Sequence, residues 1–413
     1  MDPFNGKVCF ITYGNSALSG LVQSQGIPQL IYLSEHFNYK CTLFTFEDPE
    51  VASLKDPGAQ MLNSLLINKG IGWFRVPYRK KGLVFACAWD IVWGSLELAR
   101  FIGREQCEIL HARSYVAGFL AATVSRFKRK KYIFDPRDIL HEIMVKDGYW
   151  TENSWRVKTS IALHRFLCRS ASGIVSVSDS FRLRIIRYVR KSQRESVRKK
   201  VFVVANAVSM ERFKPEIKDV NLLNKATLDI VYIGVYTQTH MPNLMAKFAL
   251  SLYKMYPNVI WHNYVYEGVN RINDLFSSRG FPQSRLICRS LKPEEVAETL
   301  RQCDFGVAFF DSILLWDACP IKVGEYLAAG LPVIVNKGIM LLENIITEHR
   351  CGVILEGESE HSLEKCSLAV IEIYRDGYLA TKGRCREAAY KYFSLSNACR
   401  NLDTMYQHAL NTN

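Results

Sequence analysis

The sequence predicts an α/β protein built from two Rossmann-like, doubly wound parallel-sheet domains that face each other across a cleft. Three observations carry that expectation. Short apolar runs alternate with longer segments of helical periodicity, the alternation stops once at a polar stretch and then restarts, and the apolar runs read as buried strands. Such near-continuous apolar runs belong to strands covered on both faces.

In the first half the runs are 7–14, 40–47, 108–114, 131–138, 172–178 and 200–208. Segments 20–37 and 115–127 between them carry helical periodicity. The stretch 210–228 is polar and irregular and contains Pro215, so it reads as a linker. The runs resume at 229–236, 259–267, 284–290, 304–310, 332–336 and 352–357. The expected organisation is therefore a first domain over 1–209, a linker over 210–228, a second domain over 229–392, and a terminal helix over 393–413 that packs back on the first domain. Ligands of open α/β sheets bind at the carboxyl ends of the strands, which directs attention to the residues just past each run.

Composition narrows the class. The chain has 413 residues, 48% of them hydrophobic, so it has enough apolar residues for two cores and is no disordered tail. The formal net charge of +13 implies an anionic partner: nucleic acid, an anionic membrane face or a phosphate-bearing substrate. No recognition motif with interleaved stacking aromatics supports nucleic acid. The 12 cysteines lack metal-type spacing and read as reduced, buried thiols. The opening MDPFNGKVCFITYG lacks the basic-then-apolar order of a secretory signal, which predicts a cytoplasmic protein. Segment 83–102 is apolar but carries Asp90, Glu97 and Arg100, so it is expected to lie against the sheet or on a membrane surface rather than to span a bilayer. The basic stretches 126–131 and 181–200 are solvated helix faces or contacts for anionic lipid at the inner face of the plasma membrane.

One stretch concentrates chemistry: CPIKVGEYLAAGLPVIV, residues 319–335. Pro320 suits the first helical position, and Gly330 followed by Pro332 ends the helix, which predicts a helix over 320–329. Its amino end carries free N–H groups and the positive dipole pole, an anion site. Lys322 lies in the first turn, where a cation is unfavourable unless an anion is bound. Glu325, three residues on, shares its face. An amine beside helix amides suits a diphosphate, and a carboxylate one turn deeper suits paired sugar hydroxyls. A plain surface Lys–Glu pair, worth a few tenths of a kcal/mol, is the alternative.

This segment resembles the donor-binding helix of GT-B glycosyltransferases, in particular the retaining family 4 type with its P-x-K-x-x-E-x-x-A-x-G-x-P-V-I pattern. The loop YGNSALSGLVQSQ (13–25) and the stretches VSVSDSFR (175–182) and VFVVANAVSMERFKP (201–215) resemble further parts of that family. The last departs from it by having Ala207 after Asn206, where Asn-Gly is usual. The resemblance implies that Glu325 accepts the ribose hydroxyls, that Lys322 neutralises the diphosphate, and that Asp317, eight positions earlier, contacts the transferred sugar. Pro320, Ile321, Gly234, Arg289, Ser290, Leu291 and Gly14 would complete the donor site. The family's Arg and Lys after the first strand of the second domain are missing from IGVYTQTHMPNLMAK, and Lys247 lies too far along.

In the first domain, His111 and Arg113 are expected at the carboxyl end of one strand, and Asp135 and Arg137 at the next. His111 is either a core histidine or a contact for sugar or acceptor, and Asp135 a candidate base. Gly20, Arg113 and Arg137 are read as acceptor-side residues. The implied activity is transfer of a sugar from a UDP- or GDP-sugar to a saccharide, or to a polyprenyl-linked acceptor in surface-polysaccharide assembly. Retention is expected, with no metal and no other cofactor, because no Asp-x-Asp motif lies at a strand end. A GT-B-fold nucleotide-sugar epimerase and a non-catalytic basic membrane-surface protein are the alternatives.

Overall fold

The structure, a computed structural model, describes residues 5–78, 85–215, 227–265 and 268–412. Most of the expected linker, 216–226, lies outside the described residues. Internal contacts divide the chain into two compact units. One comprises residues up to Ala205 together with Ala398–Asn413, and the other is Asn206–Asn397.

The first unit is a seven-stranded parallel sheet of order β3-β2-β1-β4-β5-β6-β7. Its strands are β1 (Gly6–Thr12), β2 (Tyr39–Glu47), β3 (Gly72–Pro77), β4 (Ile109–Arg113), β5 (Lys131–Asp135), β6 (Gly173–Ser176) and β7 (Val201–Val203). The first residues of β1 and β4 to pair are Val8 and Ile109, and β4 ends with Arg113 beside Asp135 of β5. The central strands are buried on both faces, as their unbroken apolar runs require.

The sequence reading did not anticipate β3. It is an edge strand, half-exposed, with Arg75 in its middle and Pro77 at its end, so it shows neither alternation nor a clean apolar run. Segment 20–37 is two helices rather than one. Gly20–Gln25 stops at Gly26, and Pro28 in the first turn of Ile27–His36 starts a second helix, because proline is tolerated there and nowhere deeper.

The helix Phe85–Glu105 buries Leu98, Phe101, Ile102 and the Asp90 carboxylate, which accepts a hydrogen bond from the Tyr13 hydroxyl. It leaves Trp89, Val92, Trp93 and Leu96 exposed, at helical spacing. Among the described residues, no helix is long and apolar enough to cross a membrane.

The second unit is a six-stranded parallel sheet of order β10-β9-β8-β11-β12-β13. Its strands are β8 (Leu228–Ile233), β9 (Val259–Tyr264), β10 (Leu286–Arg289), β11 (Phe305–Ala308), β12 (Val333–Asn336) and β13 (Gly352–Leu355). Trp261, Phe248, Phe276 and Phe281 fill its core. In both sheets the strand order reverses beside the first strand of the unit, between β1 and β4 and between β8 and β11. Those reversals are where α/β sheets hold ligands.

The helix Ile321–Ala328 follows β11 and is seated by its one large aromatic. The Tyr326 ring lies over Gly306 of β11, where an added Cβ would stand 2.2 Å from a ring carbon. The Tyr326 hydroxyl accepts the backbone N–H of Ile233 at the end of β8 at 2.9 Å. The Gly306→Ala variant is therefore expected to lose about 1–3 kcal/mol, because the ring has β8 behind it and no room to yield. Thermal melting reads this, and an unchanged Tm would show that the ring can move aside.

Candidate active site

The Ile321–Ala328 helix begins one residue later than predicted. Pro320 has extended backbone and stands at the N-cap, where it offers no side-chain acceptor to the first N–H groups. Gly330 has φ +78, and the N–H of Leu331 reaches the carbonyl of Tyr326 at 2.9 Å, so the helix closes as the Gly-Leu-Pro sequence implies. Asn206 donates to the carbonyl of Cys319 at 2.6 Å and pins the entry to the helix. Asn336 clamps the loop after β11, accepting the Phe310 N–H at 2.7 Å and donating to its carbonyl at 2.8 Å.

Lys322 points back over the end of β8. Its ammonium donates to the Tyr232 hydroxyl at 3.1 Å, lies 4.3 Å from the Tyr232 ring centre and 5.7 Å from that of Phe310. Gly234 explains itself here: its φ is +141, and a Cβ would come within 2.8 Å of the ammonium. Burial pulls the Lys322 ammonium down to about 7, with Glu325 opposing. Burial likewise pushes the Glu325 carboxyl up to about 7, against Arg212 and then Lys322. Lys322 and Glu325 are within each other's field but form no ion pair within 4.0 Å, and no donor among the described residues bonds the Glu325 carboxylate. The surface-pair alternative fails on this geometry: both side chains are half-buried and neither satisfies the other. The pair offers one amine and one carboxylate with unused hydrogen-bonding capacity, at the switch point of the second sheet.

Asp317 is buried in the turn before Pro320 and is not the helix N-cap. Arg289 ends β10, an edge strand two places from β8, and stacks 5.0 Å from the Tyr264 ring. Ser290 and Leu291 follow it, one exposed and one buried. The structure does not bring these three into contact with Lys322. Lys247 is paired with Glu358 at 3.0 Å on a different part of the unit. Sequence reading missed Tyr232 and Arg212. Neither carries a motif: Tyr232 reads as one more apolar strand residue, and Arg212 lies in the irregular stretch.

The remaining site residues lie in the first unit. Gly14 has φ +81 in the loop after β1, and Gly20 opens the Gly20–Gln25 helix with nothing within 4 Å of an added Cβ. His111 was expected at a strand end, but β4 continues to Arg113, so His111 sits inside the sheet. It is 2% exposed, against the Phe10 ring, with Nδ1 2.6 Å from the Tyr406 hydroxyl. Its Nε2 is 3.7 Å from an Asp135 oxygen. Burial alone would raise the Asp135 carboxyl. Arg137, His111 and Arg113 outweigh it and hold it below its ordinary range, which makes Asp135 a weak proton acceptor.

Among the described residues, no group of three His, Cys, Asp or Glu side chains is placed to hold a metal ion. The described cysteines are free, and all but Cys288 are buried.

Residues 45–199 match the family model of the glycosyl transferase 4-like domain, a stretch inside the first unit that does not include Lys322 or Glu325. The fold is that of GT-B glycosyltransferases. A glycosyltransferase from Rickettsia africae superposes with a TM-score of 0.74 over 100% of both chains at 13% identity. Sucrose-phosphate synthase from Thermosynechococcus elongatus gives 0.72 over 97% of this chain and 98% of its own, at 12%. HepE from Anabaena, solved with UDP and glucose, gives 0.66 over 97% and 99%, at 12%. No curated protein sequence matches the chain.

Proposed function

We propose that this protein transfers a sugar from a nucleotide-diphosphate sugar to an acceptor hydroxyl. The observation that carries the reading is the half-buried Lys322–Glu325 pair at the start of the Ile321–Ala328 helix. Among the described residues the Lys322 ammonium bonds only the neutral Tyr232 hydroxyl, and no donor bonds the Glu325 carboxylate. In this reading the Lys322 ammonium and the first helix N–H groups hold the diphosphate and stabilise its charge as it leaves. Glu325 accepts the two ribose hydroxyls, and Asp317 faces the transferred sugar. The bond from the anomeric carbon to phosphate oxygen breaks, the bond to the acceptor oxygen forms, and the acceptor proton passes to the departing diphosphate. No metal ion takes part, and the configuration is retained. The likeness to HepE favours a UDP-linked hexose as the first donor to try.

The test is a panel of UDP-, GDP- and dTDP-sugars, with thermal stabilisation and released nucleotide read in the presence of EDTA. One donor is expected to stabilise the protein, and turnover is expected to need an acceptor and to survive chelation. A donor isomerised without acceptor would make the protein an epimerase. No response to any nucleotide would end the reading.

The acceptor in this proposal is lipid-linked and reached at an anionic membrane face. The exposed stripe Trp89, Val92, Trp93 and Leu96 supports it, with Arg100 standing 5.9 Å from the Trp93 ring on the same helix. The basic stretch 181–200 supports it less than its composition suggests. Arg184 is spent on Glu142, Arg182 on Asp179, Arg194 on backbone carbonyls, and Lys200 on the carbonyls of Arg169 and Ala171. The double variant Trp89→Ser, Trp93→Ser is expected to lose about tenfold in sedimentation with phosphatidylglycerol-containing vesicles. Absence of binding by the unaltered protein would remove the membrane from the account.

A further inference from the structure

The first unit buries a guanidinium that has no close ion-pair partner among the described residues, with Asp135 and Asp138 acting on it only from a distance. Arg113, the last residue of β4, is 4% exposed. Its one hydrogen bond among the described residues is from Nη2 to the Gln25 Oε1, at 2.9 Å. Among the described residues no carboxylate lies within 4.0 Å of it. The same Gln25 oxygen accepts Nη2 of Arg137 at 2.5 Å, so two guanidinium groups converge on one neutral amide oxygen.

Asp135 is the buried carboxylate of the group, and it serves Arg137, at 3.6 Å. Asp138 acts on Arg113 too, but it is exposed and its field is screened by water. Burial, and then Arg137, pull the Arg113 guanidinium down to about 9. Asp135 Oδ1 is buried with no hydrogen-bond partner among the described residues, as is His111 Nε2, which lies 3.7 Å from the other Asp135 oxygen. The backbone is held in place at some expense, with Arg137 at φ +62 and Ser114 at φ +86.

Like charges so close in a dry site are unfavourable unless an anion completes them, and a guanidinium fork is shaped for two oxygens of one anion. We propose that Arg113 and Arg137 form an anion subsite for the acceptor, so that the substrate presenting the hydroxyl carries a phosphate or carboxylate group. This rests on the transferase reading for the word acceptor, and on the first unit alone for the anion. Gln25 holds the two forks in register, which is a positioning role. The helix break at Gly26–Pro28 is what leaves Gln25 at a helix end, where it meets both arginines.

The test uses the full chain and calorimetry with UDP, inorganic phosphate, glucose 6-phosphate, glucuronate and glucose. Phosphate and one of the two anionic sugars are expected to bind, and neutral glucose to bind at least tenfold more weakly. Preference for glucose 6-phosphate assigns a phosphate ester, and preference for glucuronate a carboxylate. Arg137→Gln, on the less buried of the two forks, is expected to weaken the anion at least tenfold and to leave UDP within twofold. Lys322→Ala is expected to do the reverse. Arg113→Gln repeats the first result if it folds, and Arg137→Gln decides alone if it does not. The proposal is overturned if no anion binds the unaltered protein, or if the anion survives Arg137→Gln and is lost with Lys322→Ala. UDP failing to bind while the anion does would end the transferase reading and leave the anion site standing.

Discussion

Glu325→Ala is expected to weaken UDP-glucose binding by about 100-fold while leaving the fold intact. The magnitude follows from two hydrogen bonds to a charged acceptor, each worth about 1.5 kcal/mol. The intact fold follows from the burial that pushes the Glu325 carboxyl up to about 7: the native state gains little from this carboxylate when it is ionised. Removing it therefore costs no stabilising ion pair, and the Tm should stay level or rise. The Tyr326 ring, which seats the helix, is untouched. Glu325→Gln keeps one acceptor and should fall between the two. Calorimetry and a melting curve on the same samples check both halves. Equal affinity in Glu325→Ala and the unaltered protein would remove the carboxylate from the donor site.

The second large effect is on pH. Lys322 is drawn down to about 7 by burial, so in the free protein its ammonium is lost as the pH rises through that value. A bound diphosphate favours the charged form and restores the proton, so binding takes up a proton on the alkaline side and weakens there, by up to tenfold per pH unit. Glu325 works in the opposite sense. Below about 7 its carboxyl holds a proton, and the ribose hydroxyls lose their charged acceptor. Affinity for UDP-glucose is expected to peak near pH 7 and fall on both sides, measured between about pH 5.5 and 8.5. Lys322→Met should remove the alkaline limb and Glu325→Gln the acidic one. Lys322→Met should also slow turnover by about 100–1,000-fold, the scale of losing one preorganised charge at a leaving group. A flat profile in the unaltered protein would mean that neither group meets the ligand.

The Ile321–Ala328 helix was legible because each of its determinants is local. Proline at its start, glycine past its end and the Lys–Glu spacing are read without knowing what the helix touches, and the structure moves its start by a single residue. The central strands of both sheets were legible for the same reason, since double burial leaves an apolar run. The edge strand β3 was not, because a half-exposed strand with Arg75 and Pro77 looks like loop. His111 was placed at the wrong depth because a strand's last residue depends on its neighbour: pairing of Arg113 with Asp135 carries β4 two residues past the histidine.

By itself, the amino-acid sequence determined the class of fold, the helix with its facing amine and carboxylate, and the surplus of positive charge. Only the tertiary structure decided that Tyr232 and Gly234 receive the lysine, that several bases in 181–200 are consumed internally, and that Gln25 gathers Arg113 and Arg137. The physical reason is range. Periodicity, capping and turn chemistry act within a few residues and leave their mark in the order of the chain. The burial of a charge and the choice of its partner depend on groups far apart in the chain, as Gln25 and Arg137 are at 112 positions, and exist only once the sheet has brought them together.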